Sequence, residues 1–439
     1  MTARRALSIL LVSLCGVLSA ALPAQAATYP AGFEERTLIS GLTIPTAVAW
    51  TPDGRAIVVE KSGLVKIAAA GASTTTTVLD LRNRVNDYND RGLLGLAVDS
   101  QFATNPYVYL LYTYELNPIA PDGGGEMVSQ LLRVRLTGDN RMIEERVLLG
   151  SYTAGVCPAA RNDLDCIPSD YDSHSIGTVL SAPDGTLYVG SGDGASYNAP
   201  DVRALRSLDE RSLAGKILKV DREGRALAGH PLCATNPDLT AVCAKVYASG
   251  FRNPFRFTLR PDGGLVVGDV GWNTNEEINL VTQPGRSYGW PCYEGTIQTP
   301  GYRDFAQCTT EYARPAGTHT PPTLQYCHCG SGASVIGGPA YRGDQYPAGY
   351  RDTIFYADYS QGWIKRIELN SSGGVSATRD FATGWSGAQL TTTPSGDVAF
   401  PSFGTFAPGT GSVRAIRYVA GNRAPVARAT TSASSGSAP

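Results

Sequence analysis

Charged residues are scarce in this 439-residue chain, at 17%, and neither sign dominates: 37 Lys and Arg face 39 Asp and Glu. A protein that grips nucleic acid or an anionic membrane surface normally carries a basic excess, so both partners are excluded as main ligands. Only four histidines occur, which leaves few places for imidazole chemistry. No G-x-G-x-x-G follows a strand and opens a helix, and there is no P-loop or G-x-S-x-G elbow. Nicotinamide, nucleoside triphosphate and α/β-hydrolase chemistry therefore lack their signatures. Helical periodicity is almost missing; residues 204–213 read equally as a short helix or a loop. Beyond the first two dozen residues, no apolar run is long enough to span a bilayer.

Gly 49 and Pro 28 are abundant instead, beside ample aromatic and β-branched residues. That mixture suits many short strands joined by tight turns. The N-terminus reads as a secretion signal over residues 1–26: Arg4 and Arg5, an apolar stretch over 6–22, then Ala24-Gln25-Ala26 as a small-x-small cleavage site. The expected product is secreted or periplasmic. Residues 421–439, rich in Ala, Ser and Thr, read as a flexible tail or linker. With Cys15 inside the signal, eight cysteines remain, an even number that argues for disulfides in an exported chain. Cys157 with Cys166, Cys233 with Cys243 and Cys292 with Cys308 would each close a short loop. Cys327 and Cys329 read as structural, with open connectivity.

A repeated unit organises residues 27–420: a turn, then a short apolar strand. Pro52-Asp53-Gly54 precedes Ala56, Asn105-Pro106 precedes Val108, and Pro183-Asp184-Gly185 precedes Leu187. Pro261-Asp262-Gly263 precedes Leu265, Arg351-Asp352 precedes Ile354, and Pro394-Ser395-Gly396 precedes Val398. Proline presets φ in five of the six turns, all but Arg351-Asp352, and Gly or Asp takes the unusual backbone angles in all but Asn105-Pro106. Six units point to an all-β fold, a six-bladed β-propeller with long inter-strand loops. The spacing is uneven, so the long loops fall between the second and fifth units, where function concentrates.

His174 has the most suggestive setting among the histidines. It precedes a strand over 178–180, and the next strand ends at Gly192-Asp193. If the two form a hairpin, His174 and Asp193 become neighbours at one rim. A carboxylate beside an imidazole orients the ring and raises its basicity, as a general base requires. Arg252 and Asn253, fixed by Pro254, suit recognition of carboxylates or carbonyls. Backbone carbonyls and carboxylates over 268–291 could hold a hard cation such as Ca²⁺.

These residues carry a resemblance. Arg91-Gly92-Leu93-Leu94-Gly95, His174-x-x-Gly177, Gly192-Asp193, Phe251-Arg252-Asn253-Pro254, Glu277-Ile278-Asn279 and Tyr288-Gly289-Trp290-Pro291 together resemble the glucose/sorbosone dehydrogenase family, over roughly residues 33–418. The resemblance implies a sugar dehydrogenase that uses pyrroloquinoline quinone (PQQ) and Ca²⁺, oxidises an aldose at its anomeric hydroxyl and passes electrons to an external acceptor. It makes His174 the base, Asp193 its orienting carboxylate, and Arg252, Asn253 and Asp90 cofactor contacts. The carbonyls of Gly289 and Pro291 become the Ca²⁺ ligands. The chain departs from the family pattern at several positions: Asp90 stands where a substrate-contacting Gln is usual, and Ser173 replaces an Asp. Ser360, Ser386 and Ala388 fall where cations clamp the quinone, with Lys365, Arg366, Arg342 and Arg414 as substitutes to be tested. The other readings are a non-enzymatic secreted propeller that binds a glycan or a protein, and a Ca²⁺-dependent lactonase-type propeller.

Overall fold

A computed structural model describes residues 27–419 except 120, 159, 234 and 329–331. The signal over 1–26, the tail over 421–439 and Cys329 lie outside the described residues. Six sheets of four or five strands follow one another along the chain, antiparallel except where Arg286–Ser287 adds in parallel to the third, and a two-stranded hairpin, Tyr293–Glu294 with Ile297–Gln298, is inserted among them. Each turn singled out above joins the first strand of a sheet to its second. The first strands are Pro45–Trp50, Leu93–Val98, Ile176–Ser181, Arg256–Leu259, Val335–Ala340 and Thr391–Thr392, in blades 1 to 6. Their second strands are Ala56–Glu60, Tyr107–Tyr114, Leu187–Ser191, Leu265–Asp269, Ile354–Asp358 and Val398–Ser402.

The ring closes with strands from both ends of the chain. Phe33–Leu42 pairs with Gly411–Tyr418, setting Phe33 opposite Tyr418 and Ile39 opposite Val413, and so completes blade 6. That pairing covers an edge that would otherwise be open. A twisted sheet that is apolar on both faces must bury both, and each blade does so against its two neighbours. Ala47 and Ile57 of blade 1 pack with Leu93 and Val108 of blade 2. Leu94 and Tyr109 of blade 2 meet Val179 and Leu187 of blade 3. The same layering repeats around the ring to Val413 of blade 6 against Val48 of blade 1.

Arg256, on the first strand of blade 4, occupies the axis and is 2% exposed. Its guanidinium donates to the carbonyls of Thr46 (2.9 Å), Leu94 (2.9 Å), Gly177 (2.8 Å) and Ala388 (2.6 Å). One side chain thus ties blade 4 to blades 1, 2 and 3 and to the entry of blade 6. Burial lowers its pKa to about 9, which leaves it charged at neutral pH. Gly177 is required here, because a Cβ would stand 2.0 Å from the Phe255 carbonyl oxygen.

The long loops are where the uneven spacing placed them, and three disulfides staple them: Cys157–Cys166, Cys233–Cys243 and Cys292–Cys308. Cys327 is also disulfide-bonded. The stretch over 204–213 divides: its first half lies in a short 3₁₀ turn, Val202–Leu208, capped by the Asp201 side chain accepting from the Arg203 amide, and the rest is loop. No helix among the described residues is long and apolar enough to cross a membrane.

Candidate active site

One end of the axis opens into a cavity of about 700 Å³. Its wall is drawn from equivalent places in all six blades, next to where first strands start and second strands end. Ile44, Asp90, His174, Arg252, Ser334 and Ala388 lie at the starts of first strands, and Lys61, Tyr197, Gly271, Tyr359 and Phe403 follow second strands. Volumes of this order suit a small-molecule ligand.

The hairpin expectation holds. Ile176 pairs with Ser191 across blade 3, so His174 and Asp193, two residues further out on each strand, meet. His174 Nδ1 lies 3.2 Å from Asp193 Oδ1, and both side chains are buried. The turn is tight. His174 has φ of 52°, and a Cβ on Gly192 would meet the His174 carbonyl oxygen at 2.1 Å, so only glycine fits there. A non-glycine residue in the left-handed region stores strain, and such residues cluster at functional sites.

Both Asp193 oxygens are engaged. Oδ1 also accepts the Ala195 amide (2.9 Å), and Oδ2 accepts the Trp290 indole N–H (2.8 Å). Burial and the Arg252 guanidinium hold His174 below its ordinary pKa, against the upward pull of Asp193 and Asp90. Burial pushes Asp193 up, but hydrogen bonding to His174, the Arg252 charge and the Ala195 amide outweigh it. At neutral pH the pair is a neutral imidazole on an ionised carboxylate.

Arg252 is 5% exposed and adjoins the dyad: its carbonyl accepts the Asp193 amide at 2.8 Å. Nη1 donates to the carbonyls of Val270 (3.0 Å) and Gly271 (2.5 Å), and the guanidinium lies 5.5 Å from the Trp290 ring. Asp269 anchors the segment by accepting the amides of Arg252 and Asn253. Asn253 and Asp90 both line the cavity. Ser173 donates to Asp90 at 2.6 Å, so the serine that departs from the family pattern holds the other departing residue.

Gly289 and Pro291 do not line the cavity. The Gly289 carbonyl accepts the Tyr293 amide, and the segment's contribution is Trp290, which braces Asp193 from behind. Among the described residues, no group of three or more His, Cys, Asp or Glu could hold a metal. The substitute cations are engaged elsewhere: Lys365 with Asp380, Arg366 with Glu368, Arg342 with Asp352 and Arg414 with Glu35. None of them lines the cavity. The positions Ser360, Ser386 and Ala388 are as uncharged as the sequence states.

Sequence reasoning missed Lys61, Trp272 and His328, which all line the cavity. Lys61 donates to the Asp87 carbonyl, and burial lowers its pKa against the charges of Asp87, Asp90 and Asp122. Trp272 is held by its indole N–H to the Tyr197 carbonyl at 2.8 Å. The loop carrying it is gathered by Glu294, whose Oε1 accepts four consecutive amides from Trp272 to Asn275.

The glucose/sorbosone dehydrogenase family model matches residues 42–388. Quinoprotein glucose dehydrogenase B of Acinetobacter calcoaceticus is 28% identical over 284 residues, 62% of this chain and 55% of that protein. The HIPL2 protein of Arabidopsis thaliana is 32% identical over 226 residues, 46% of this chain and 31% of that protein. The chain thus spans about half the length, or less, of these curated relatives. A putative oxidoreductase (glucose dehydrogenase) from Thermus thermophilus superposes with a TM-score of 0.64 at 25% identity, covering 88% of this chain and 100% of that one. The PQQ-bound aldose sugar dehydrogenase of Streptomyces coelicolor shares the fold, with a TM-score of 0.63 at 18% identity, over 89% of this chain and 99% of that one. A six-bladed propeller with a His–Asp–Arg cluster at its axial mouth, matched over most of its length, belongs to the glucose/sorbosone dehydrogenase family.

Proposed function

We propose that the cavity binds a quinone and an aldose, and that the protein oxidises the sugar's anomeric hydroxyl to a lactone. The observation that carries this reading is the His174–Asp193 pair, buried, braced by Trp290 and joined to Arg252 at the cavity wall. His174 Nδ1 faces the carboxylate, which leaves Nε2 as the nitrogen that receives the hydroxyl proton. As that proton leaves, the C1–H bond breaks with its electron pair and the C1–O bond becomes the lactone carbonyl. When bound, the quinone would supply the two-electron acceptor for that hydride. Asp193 supports the imidazolium that forms, and Arg252 places positive charge beside the reacting atoms. Asn253 and Asp90 supply polar contacts to the quinone and the sugar.

The donor set fits a quinone that carries carboxylates, since Arg252 and Lys61 both line a cavity of adequate volume. Gly289 and Pro291 do not line that cavity, so their carbonyls are not placed to hold Ca²⁺ against a ligand bound in it.

Reconstitution tests the reading. Protein incubated with PQQ, with and without Ca²⁺, is assayed for dye reduction against a panel of aldoses. Sugar-dependent reduction that His174→Ala abolishes supports the proposal. No reduction with any aldose, together with no quinone binding, overturns it in favour of a propeller that binds a glycan or a protein.

A further inference from the structure

A second histidine–carboxylate pair adjoins the same cavity, with the histidine in its lining. His328 reaches it from the end of blade 4, and its Nδ1 lies 2.6 Å from Glu276 Oε1. Glu276 is fully buried and is fixed by two backbone amides, of Val335 at 2.9 Å and Gly271 at 3.3 Å. The His328 amide is tied to the Thr274 carbonyl at 2.9 Å. A ring held so firmly through Nδ1 has one nitrogen left, and Nε2 has no hydrogen bond among the described residues. With Nδ1–H committed to the carboxylate, Nε2 accepts when the ring is neutral and donates a charge-assisted hydrogen bond when it is protonated.

We propose that the His328–Glu276 pair is a titratable receptor in this cavity, whose protonated Nε2–H binds a carboxylate of the ligand. The assignment rests on the quinone reading for the identity of that carboxylate. It answers the loss of the usual clamp, because His328 supplies a cationic donor to the same cavity that Arg252 and Lys61 line. An acidic sugar offers the same chemistry from a second source.

The charged groups facing His328 are Glu276 on the third strand of blade 4, Glu294 on the inserted hairpin and Arg252 ahead of blade 4. The hydrogen bond to Glu276 raises the pKa of His328, against burial and Arg252. His328 therefore stays protonated above the ordinary histidine value, and carboxylate affinity is highest below its pKa and falls as pH rises through it. His174 is shifted the opposite way, so its own titration lies below the ordinary histidine value and does not reproduce an effect above it.

The test is equilibrium binding. Apoprotein at constant Ca²⁺ is titrated with PQQ, followed by tryptophan fluorescence, from about pH 5.5 to about pH 9 around the ordinary histidine value. The wild type is expected to weaken about tenfold across the window, the equivalent of one charge-assisted hydrogen bond. His328→Gln is expected to bind with the weak affinity at every pH, and His328→Lys with the tight affinity and no pH dependence through the histidine range. Wild-type binding matched by His328→Gln at every pH overturns the receptor while leaving the proposed oxidation intact. If the wild type binds no quinone, the proposed function falls, and the same titration with glucuronate decides the receptor. Affinity for glucuronate that falls with pH and is lost in His328→Gln supports it; no binding overturns it.

Discussion

Trp290 donates its indole N–H to Asp193 Oδ2 at 2.8 Å across 97 residues of sequence, opposite the oxygen that faces His174. Trp290 sits in a packed cluster with Ala195, Tyr302 and the Cys292 and Cys308 sulfurs, so an inserted loop sets the orientation of the dyad.

Replacing that donor isolates its contribution. Trp290→Phe keeps much of the ring packing and leaves a buried carboxylate oxygen without a partner, at a cost of about 1.5–3 kcal/mol. If the brace acts on the transition state, kcat/KM falls roughly 10- to 100-fold. Steady-state kinetics, with near-UV circular dichroism to confirm the fold, checks it.

The dyad also predicts a pH profile. His174 works as a base only when neutral, and its pKa is lowered by burial and Arg252. The acid limb of kcat/KM in quinone-loaded protein therefore has its midpoint below the ordinary histidine value of about 6.5, with a plateau by neutral pH. Asp193→Asn removes an upward pull, so the limb moves further down while the rate drops about 100-fold or more.

Arg256 makes a stability prediction independent of the chemistry. Arg256→Met leaves four buried carbonyls, from Thr46, Leu94, Gly177 and Ala388, without their donor. Loss of such a buried charged centre costs about 3–5 kcal/mol. Urea unfolding should show a lower midpoint with an unchanged slope. Arg256→Lys should recover little, because a compact ammonium cannot span the four acceptors.

The Cys292–Cys308 bridge closes a loop of sequence separation 16. Replacing both cysteines by alanine is expected to cost about 2–4 kcal/mol, read as a lower melting temperature. Because the bridge belongs to the Trp290 cluster, activity should fall with it. The equivalent change at Cys233–Cys243, whose cluster is separate from that of Trp290, should lower stability with a smaller effect on rate.

What could be read from the sequence was local. The Pro-Asp-Gly turns marked second strands because turn chemistry is carried by adjacent residues. The meeting of His174 and Asp193 followed from a single hairpin, where register is set by pleat and turn. The pairing of the first three disulfides was legible because each closes a short loop. His328, Lys61 and Trp272 were not legible, since they reach the cavity from separate blades and only ring closure brings them together. Glu276 reads with the carboxylates over 268–291 as a candidate ligand of a hard cation, yet it is fully buried and holds His328. The Gly289-Trp290-Pro291 segment was read for its carbonyls, whereas its indole makes the contact with the dyad.

The most direct test is an anaerobic single turnover. PQQ-loaded protein is mixed with excess aldose and the quinone absorbance is followed by stopped flow, for the wild type and for His174→Gln. With His174 as the base, the wild type is expected to reduce the quinone rapidly, and His174→Gln to bind it normally but reduce it at least about 100-fold more slowly. Equal reduction rates in the two proteins would contradict that role.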